Sequence, residues 1–345
     1  MSPSVLPLAL AGVGAATAFG AVVNQARRRN VDRWILSYLA GVARRRPPRR
    51  GEAVHLVLAI ADHFEPRRGG ASPAAARSRV ERWVRDYPRL FRAFRDSDGR
   101  PPRHTFFYPI DEYEPEHLDA LAPLCRAGYC EVEVHLHHDG ETGEELREQL
   151  LRFKDRLATR HGLLPRHRHT GDLAYGFVHG NWALDNSRPD GRWCGVNNEL
   201  DILRETGCYA DFTLPSAPSP TQTRKINSIY YATDDPRRPR SHDWGPDVGD
   251  GPAPPGALML IQGPLILDWS RRKRRILPHI ENGCLQGSQP PGIDRLDLWL
   301  RARVQVRPRS DWYFVKLHTH GAEEYNMRVL LDEPMTRFHE ALARC

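Results

Sequence analysis

Lysine is nearly missing from these 345 residues: only Lys154, Lys225, Lys273 and Lys316 stand among the fifty basic positions, and the rest are Arg. That bias reads as a GC-rich genome, since guanidinium-specific chemistry would not require Arg at every surface position. Cysteine lacks pattern. Cys125, Cys130, Cys194, Cys208, Cys284 and Cys345 form no C-x-x-C pair and no regular framework, so no disulfide scaffold organises the chain. Cys125 and Cys208 sit in apolar contexts and read as reduced core residues, in mild agreement with a cytoplasmic domain. Hydrophobic residues at 40% and charged residues at 27% exclude wholesale disorder and fibrous structure. Gly and Pro together number 56, which argues against a compact helical bundle. The length suits one large α/β domain of roughly 250 residues plus extras. What remains to be explained is a net charge of +7 with a pI near 9.2. It points first to nucleic acid, an anionic membrane surface or an anionic substrate.

Val5 to Val23 carries no charge. Nineteen helical residues at ~1.5 Å each reach about 28 Å, near the ~30 Å hydrocarbon core. The basic start of a cleaved signal peptide is missing, so residues 1–25 read as a retained membrane anchor, weak because it is Ala/Gly-rich. Residues 26–50 follow with nine Arg. Between them Val31, Trp34, Ile35, Tyr38, Leu39 and Val42 recur at three- and four-residue spacing. This is one apolar helical face, suited to the membrane interface or to packing on the domain. The Arg flank places the remaining chain on the cytoplasmic side of a single-pass protein in contact with lipid.

From residue 51 to 345 strand and helix patterns alternate. Strands are expected over 54–61, 105–108, 129–137, 175–179, 209–213, 226–231, 258–261 and 312–318. Helices are expected over 74–97, 115–127, 141–161, 197–206 and 323–343. Residues 214–256 hold nine prolines and read as an irregular insertion. Such alternation implies a mainly parallel α/β fold, barrel or open sheet.

Groups able to bind metal gather where these strands end: Asp62-His63-Phe64-Glu65, His135-Leu136-His137-His138-Asp139, His179-Gly180-Asn181-Trp182 and His318-Thr319-His320. In a parallel α/β fold all these ends lie on one rim. A lone histidine is usually unremarkable, but four strand ends carrying His or Asp imply a shared metal site. Imidazole with carboxylate suits Zn²⁺, and also Co²⁺, Ni²⁺ or Fe²⁺. No thiolate is near these ends, which disfavours a structural zinc.

At these residues the sequence resembles the polysaccharide deacetylase family, carbohydrate esterase family four. The family's first motif, two consecutive Asp at a strand end, is matched by Asp62-His63. Its second, His then His or Asp after three residues, is matched by His135 and Asp139, with His137 and His138 as rival ligands. Its Arg-containing loop is matched by Phe177 to Trp182, without Arg. Its final Leu-His is Leu317-His318. The resemblance spans residues 54–330 and implies a distorted (β/α)7 barrel, preceded here by the transmembrane helix. It implies metal-assisted removal of N-acetyl or O-acetyl groups from a cell-envelope polysaccharide or lipid-linked sugar. His63, His135 and Asp139 would hold the metal. Asp62 is then the base and His318 the acid, or Asp62 is a ligand and the base is missing. His179, Asn181, Trp182 and His320 would meet the carbohydrate.

Two other classes fit parts of the pattern. The H-x-H elements His135/His137 and His318/His320 look like amidohydrolases or phosphoesterases, which usually carry H-x-H on the first strand. The altered first motif would also suit a non-catalytic, membrane-anchored sugar-binding barrel. Nucleic acid is disfavoured: the run Ser270 to Arg275 lacks interleaved aromatics and reads as a solvated loop. Residues 26–50 alone carry +8, leaving −1 elsewhere, so the basic charge belongs to the flank.

Overall fold

The computed structural model describes residues 20–42, 49, 51–273 and 277–344. Within them the strands are β1 His55–His63, β2 His104–Pro109, β3 Cys130–Leu136, β4 Tyr175–His179, β5 Cys208–Asp211, β6 Ile229–Thr233, β7 Ala257–Ile261, β8 Ile266–Lys273, β9 Leu277–Glu281 and β10 Trp312–Thr319. The helices are α1 Ile35–Val42, α2 Pro73–Phe91, α3 Pro115–Arg126, α4 Gly143–Thr159, α5 Glu199–Glu205, α6 Ile293–Ala302, α7 Glu324–Leu330 and α8 Glu333–Leu342. Helix starts follow local chemistry. Ser72 caps α2 ahead of Pro73, and Thr142 with Glu145 forms a capping box on α4. The single helix expected over 323–343 is two, because Asp332 caps α8 and Pro334 sits in its first turn.

Eight strands form one sheet in the order β10-β1-β2-β3-β4-β5-β7-β6. All neighbours are parallel except β6, which runs antiparallel to β7. The result is a mixed α/β architecture built on a mainly parallel sheet. The sheet curls strongly: Lys316 on β10 donates from Nζ to the Phe212 carbonyl, just past β5, at 2.6 Å. Strand alternation then separates two faces. Ala61, Phe107 and Val178 meet on the inner face. Phe106, Val132, Val134, Phe177, Val315 and Leu317 join Val80, Trp83, Tyr87 and Phe91 of α2 in the main core outside it.

Three expectations are corrected. Among the described residues no helix is long and apolar enough to cross a membrane, which overturns the single-pass membrane location and the cytoplasmic sidedness built on it. Most of Val5–Val23 lies outside the described residues. The apolar face of the Arg-rich segment is divided between the domain and solvent. Trp34 is completely buried with Ala217, Ile226, Leu265 and Ile280, and Val31 and Tyr38 pack beside it, while Leu36, Leu39 and Val42 stay exposed. The basic run is no loop: Ser270 to Lys273 belongs to β8, which pairs with β9 in a separate hairpin. Residues 274–276 lie outside the described residues. The Pro-rich insertion is ordered by β6 and by Arg240, which donates to the Ser187 and Gln222 carbonyls and to Asp243.

Removing the Trp34 ring should cost about 3–5 kcal/mol through the cavity left behind. Urea denaturation of Trp34→Ala will show a lower midpoint if this helix is part of the folded unit, and an unchanged one if it is not. A second expectation concerns His339 on α8, which packs among Phe91, Phe94 and Phe338. Burial lowers its pKa from 6.5 to about 4. The unfolded chain therefore binds this proton more readily, and stability falls as pH drops from 6.5 towards 4. His339→Leu should flatten the stability–pH curve in that window.

Candidate metal centre

The period-two rule sorts the strand-end residues before any distance is measured. On β1 and its extension, residues 61, 63 and 65 share the inner face. On β3 the inner set is 133, 135 and 137, and on β10 it is 316, 318 and 320. The inner positions at the rim are thus His63, Glu65, His135, His137, His318 and His320.

Three of these histidines come together around one oxygen of the buried Glu65. Glu65 Oε1 lies 3.3 Å from His135 Nε2, 3.7 Å from His137 Nε2 and 3.7 Å from His320 Nε2. His63, Glu65 and His320 form one group able to hold a metal ion, and Glu65, His135 and His137 form another. Glu65 Oε1, His135 Nε2 and His63 Nδ1 are buried without a hydrogen-bond partner. Buried polar atoms are normally satisfied, so the orphans Glu65 Oε1 and His135 Nε2, facing each other at 3.3 Å, fit a cation. Outer contacts orient the rings. His135 Nδ1 donates to the Val178 carbonyl at 3.1 Å, and His137 Nδ1 meets Asp111 Oδ2 at 3.1 Å. Both contacts leave Nε2 with a free lone pair, as metal-ligating histidines require. Gly180 makes room for His137, because a Cβ there would stand 2.4 Å from the ring.

The charge balance supports the same picture. Burial opposes ionisation of Glu65, but His135, His320 and Arg68 outweigh it and hold the carboxyl well below its usual range. Arg68 Nη1 donates to Glu65 Oε2 at 2.7 Å. Burial keeps His63 neutral, with His135 and His320 reinforcing it, and it lowers His320 to about 4. Neutral His63 and His320 beside an ionised carboxylate are donor states that Zn²⁺, Co²⁺, Ni²⁺ or Fe²⁺ would take. At His137 burial is outweighed by Asp111 and Glu65, which raise its pKa, so metal binding there would release a proton.

Asp62 and Asp139 are not among these groups. Asp62 occupies the outer face of β1, where Oδ1 accepts from the Gly321 amide at 2.5 Å and Oδ2 contacts His104 Nε2 at 2.8 Å. Gly321 has to be glycine for this, since a Cβ would lie 2.0 Å from Asp62 Oδ2. Asp62 is therefore an anchor between strand and loop, and the two roles expected of it, base and ligand, have no geometric support. Asp139 Oδ1 accepts from the Trp193 amide at 2.7 Å. His320 stands within a group able to hold a metal ion. His138 and His179 lie on the outer face, in a different cluster. Asn181 donates its backbone N–H to His179 Nδ1 at 3.2 Å.

Trp182 stacks on His63 at 4.6 Å between ring centroids and meets His318 edge-on at 5.0 Å. It thus spans two inner-face histidines. Burial, reinforced by Lys316, holds His318 neutral, well below the usual imidazole pKa. Sequence reasoning missed Glu65 and Asp111. Glu65 was legible in principle, two residues after His63 on the same face, but the family motif drew attention to Asp62.

The fold and site thus define a mixed α/β protein with buried His/Glu groups at the rim of a parallel sheet, able to hold a metal ion. No family model matches the chain, and no curated protein does. Among solved structures it is similar to a 4-alpha-glucanotransferase from Thermococcus litoralis, with 14% identity and a TM-score of 0.42, covering 85% of this chain and 38% of that one. The chain thus spans well under half of that protein's length, and so distant a likeness says nothing about activity.

Asp111→Asn should weaken zinc binding by roughly 10–100-fold, the usual effect of losing an outer-sphere carboxylate. Competition against a chromogenic chelator measures it, and unchanged affinity would remove His137 from the ligand set.

Proposed function

We propose that this protein is a metal-dependent hydrolase of the polysaccharide deacetylase type, removing acetyl groups from a carbohydrate on a distorted (β/α)7 barrel. The observation that carries the proposal is the convergence of His135, His137 and His320 on the single oxygen Glu65 Oε1. The order of the strand-end motifs, from Asp62-His63 to Leu317-His318, supports the deacetylase type.

Glu65, His135, His137 and His320 would hold the ion, with His63 beside them. When bound, the metal would polarise the acyl carbonyl and acidify water. His318 handles the proton. Its neutral ring accepts one as water adds to the carbonyl carbon, and returns it to the leaving amine or alcohol. A neutral ring has to take up a proton before it can give one, and the burial that lowers its pKa makes that ring a weak base and a strong acid once protonated. Trp182 presents its indole beside both groups and would orient the sugar by stacking. Asp62 holds Gly321, and with it the placement of His320.

Acetate release from N-acetylated oligosaccharides tests this reading. His318→Ala should lose at least about 100-fold in kcat, the lower range for a general acid–base group, while keeping its metal. His135→Ala/His137→Ala should lose activity and the metal held at this inner cluster. Equal acetate release by wild type and both variants would overturn the assignment. One observation favours a second reading: the two groups share only Glu65, so the cluster could hold two ions, whose chemistry would suit a phosphate ester. Hydrolysis of phosphate esters, with two ions at this cluster and no acetate released, would establish the phosphoesterase class instead.

A further inference from the structure

One residue of offset separates His137 from His138, and it sends their side chains to opposite faces of the sheet. His137 joins Glu65 on the inner face. His138 and His179 turn outward, where the segment between β4 and α5 folds over them. There they meet Cys194 and Glu199, and one ligand atom from each of the four lies within 4.8 Å of all the others. His138 is 3% exposed and the other three are 0% exposed.

We propose that His138, His179, Cys194 and Glu199 form a second metal site, structural and closed to solvent, which takes zinc. The proposal is independent of the hydrolase reading, because none of these residues belongs to the inner cluster. Glu199 Oε1 is 3.1 Å from His138 Nε2 and 3.9 Å from His179 Nε2. Cys194 Sγ is 3.4 Å from Glu199 Oε2. Tetrahedral zinc with bonds of about 2.0–2.3 Å separates its ligand atoms by about 3.4 Å. The observed spacings straddle that value, so four ligands fit with small side-chain adjustments.

The chemistry of the set points the same way. Four protein donors including a thiolate make a structural zinc site, whereas catalytic sites keep a position open. Cys194 and Glu199 as anions would cancel the charge of Zn²⁺, leaving no net charge buried. His179 Nε2 is buried with no hydrogen-bond partner and faces the cluster. The outer contacts needed to orient such ligands are present. Asn186 N–H donates to Cys194 Sγ at 3.2 Å and Asp185 N–H donates to Glu199 Oε2 at 2.5 Å, while His138 Nδ1 and Glu141 Oε2, 3.6 Å apart, are both buried without a hydrogen-bond partner. Two contacts have to yield. His138 Nε2, which donates to Glu199 Oε1, must keep its ring proton on Nδ1 instead, and ligation through His179 Nε2 moves that ring's proton to Nδ1, which now accepts from Asn181 N–H. Metal entry expels the Cys194 proton to solvent.

The site would tie the ends of β3 and β4 to the start of α5 and to the intervening segment that carries Trp182. That gives it a purpose separate from hydrolysis: it holds the indole beside His63.

The test uses the full chain loaded with cobalt or zinc. The Co²⁺ protein should show a thiolate-to-cobalt charge-transfer band. Cys194→Ser should abolish that band and lower the metal content by one ion per chain. His135→Ala/His137→Ala should leave the band intact, because the inner cluster has no sulfur. X-ray absorption of the zinc-loaded wild type needs no variant, and should show a zinc–sulfur distance of about 2.3 Å. A cobalt band that survives Cys194→Ser, or wild-type protein with neither band nor sulfur path, would overturn the proposal and leave the four residues as a metal-free hydrogen-bonded cluster.

Discussion

Ionised Glu65 is buried beneath three imidazoles, and the inner rim of the sheet is organised around that charge. An unpaired carboxylate at 3% exposure would be very unfavourable. Here one oxygen is matched by Arg68 and the other is left facing His135, His137 and His320. Two secondary-structure facts make this possible. Parallel pairing of β10 with β1, in register from His55–Trp312 to Asp62–Thr319, brings His320 level with His63 and Glu65. The tie from Asp62 to the Gly321 amide then fixes the turn immediately after His320. The outer-face residue next to the cluster thus works for the cluster, through backbone and not through chemistry.

The alternation of elements was readable from hydrophobic period alone, and most strands and helices fall within a few residues of expectation. The hairpin β8–β9 and helix α6 were not readable. In β8 the run of Arg outweighs the branched-residue pattern, and α6 follows a stretch of Gly and Pro that reads as loop. The rim was legible as a set of strand ends, because His and Asp recur there. Its division into two faces was not. Choosing between Asp62 and Glu65 requires knowing how far β1 stays regular, and β1 keeps its alternation through His63. Cys194 and Glu199 were invisible for another reason. They come from an irregular segment and a short helix, with no spacing rule linking them to His138.

Charge gave the most misleading signal. The Arg-rich stretch and its apolar face share the pattern of an interfacial helix, but the same pattern serves a helix laid on a domain. While Leu36, Leu39 and Val42 stay exposed, Trp34 shows that part of this face packs on the domain. Its ring fills a satellite core with Leu265 and Ile280, on the side of the molecule where the hairpin and the Pro-rich insertion meet. Those two irregular regions leave an apolar gap that the sheet itself does not cover.

The order of strands in space also sets an order in time. Glu65 and His320 are joined by β10, the last strand of the chain, which pairs directly with the first. During synthesis from the N-terminus, β1 to β7 are complete long before their outermost partner exists. Until β10 docks, Asp62 has no Gly321 amide, His320 is missing and one flank of β1 is unpaired. The outer-face cluster, by contrast, is complete once residue 199 has emerged. The two histidine neighbours 137 and 138 therefore belong to clusters completed more than a hundred residues apart in translation.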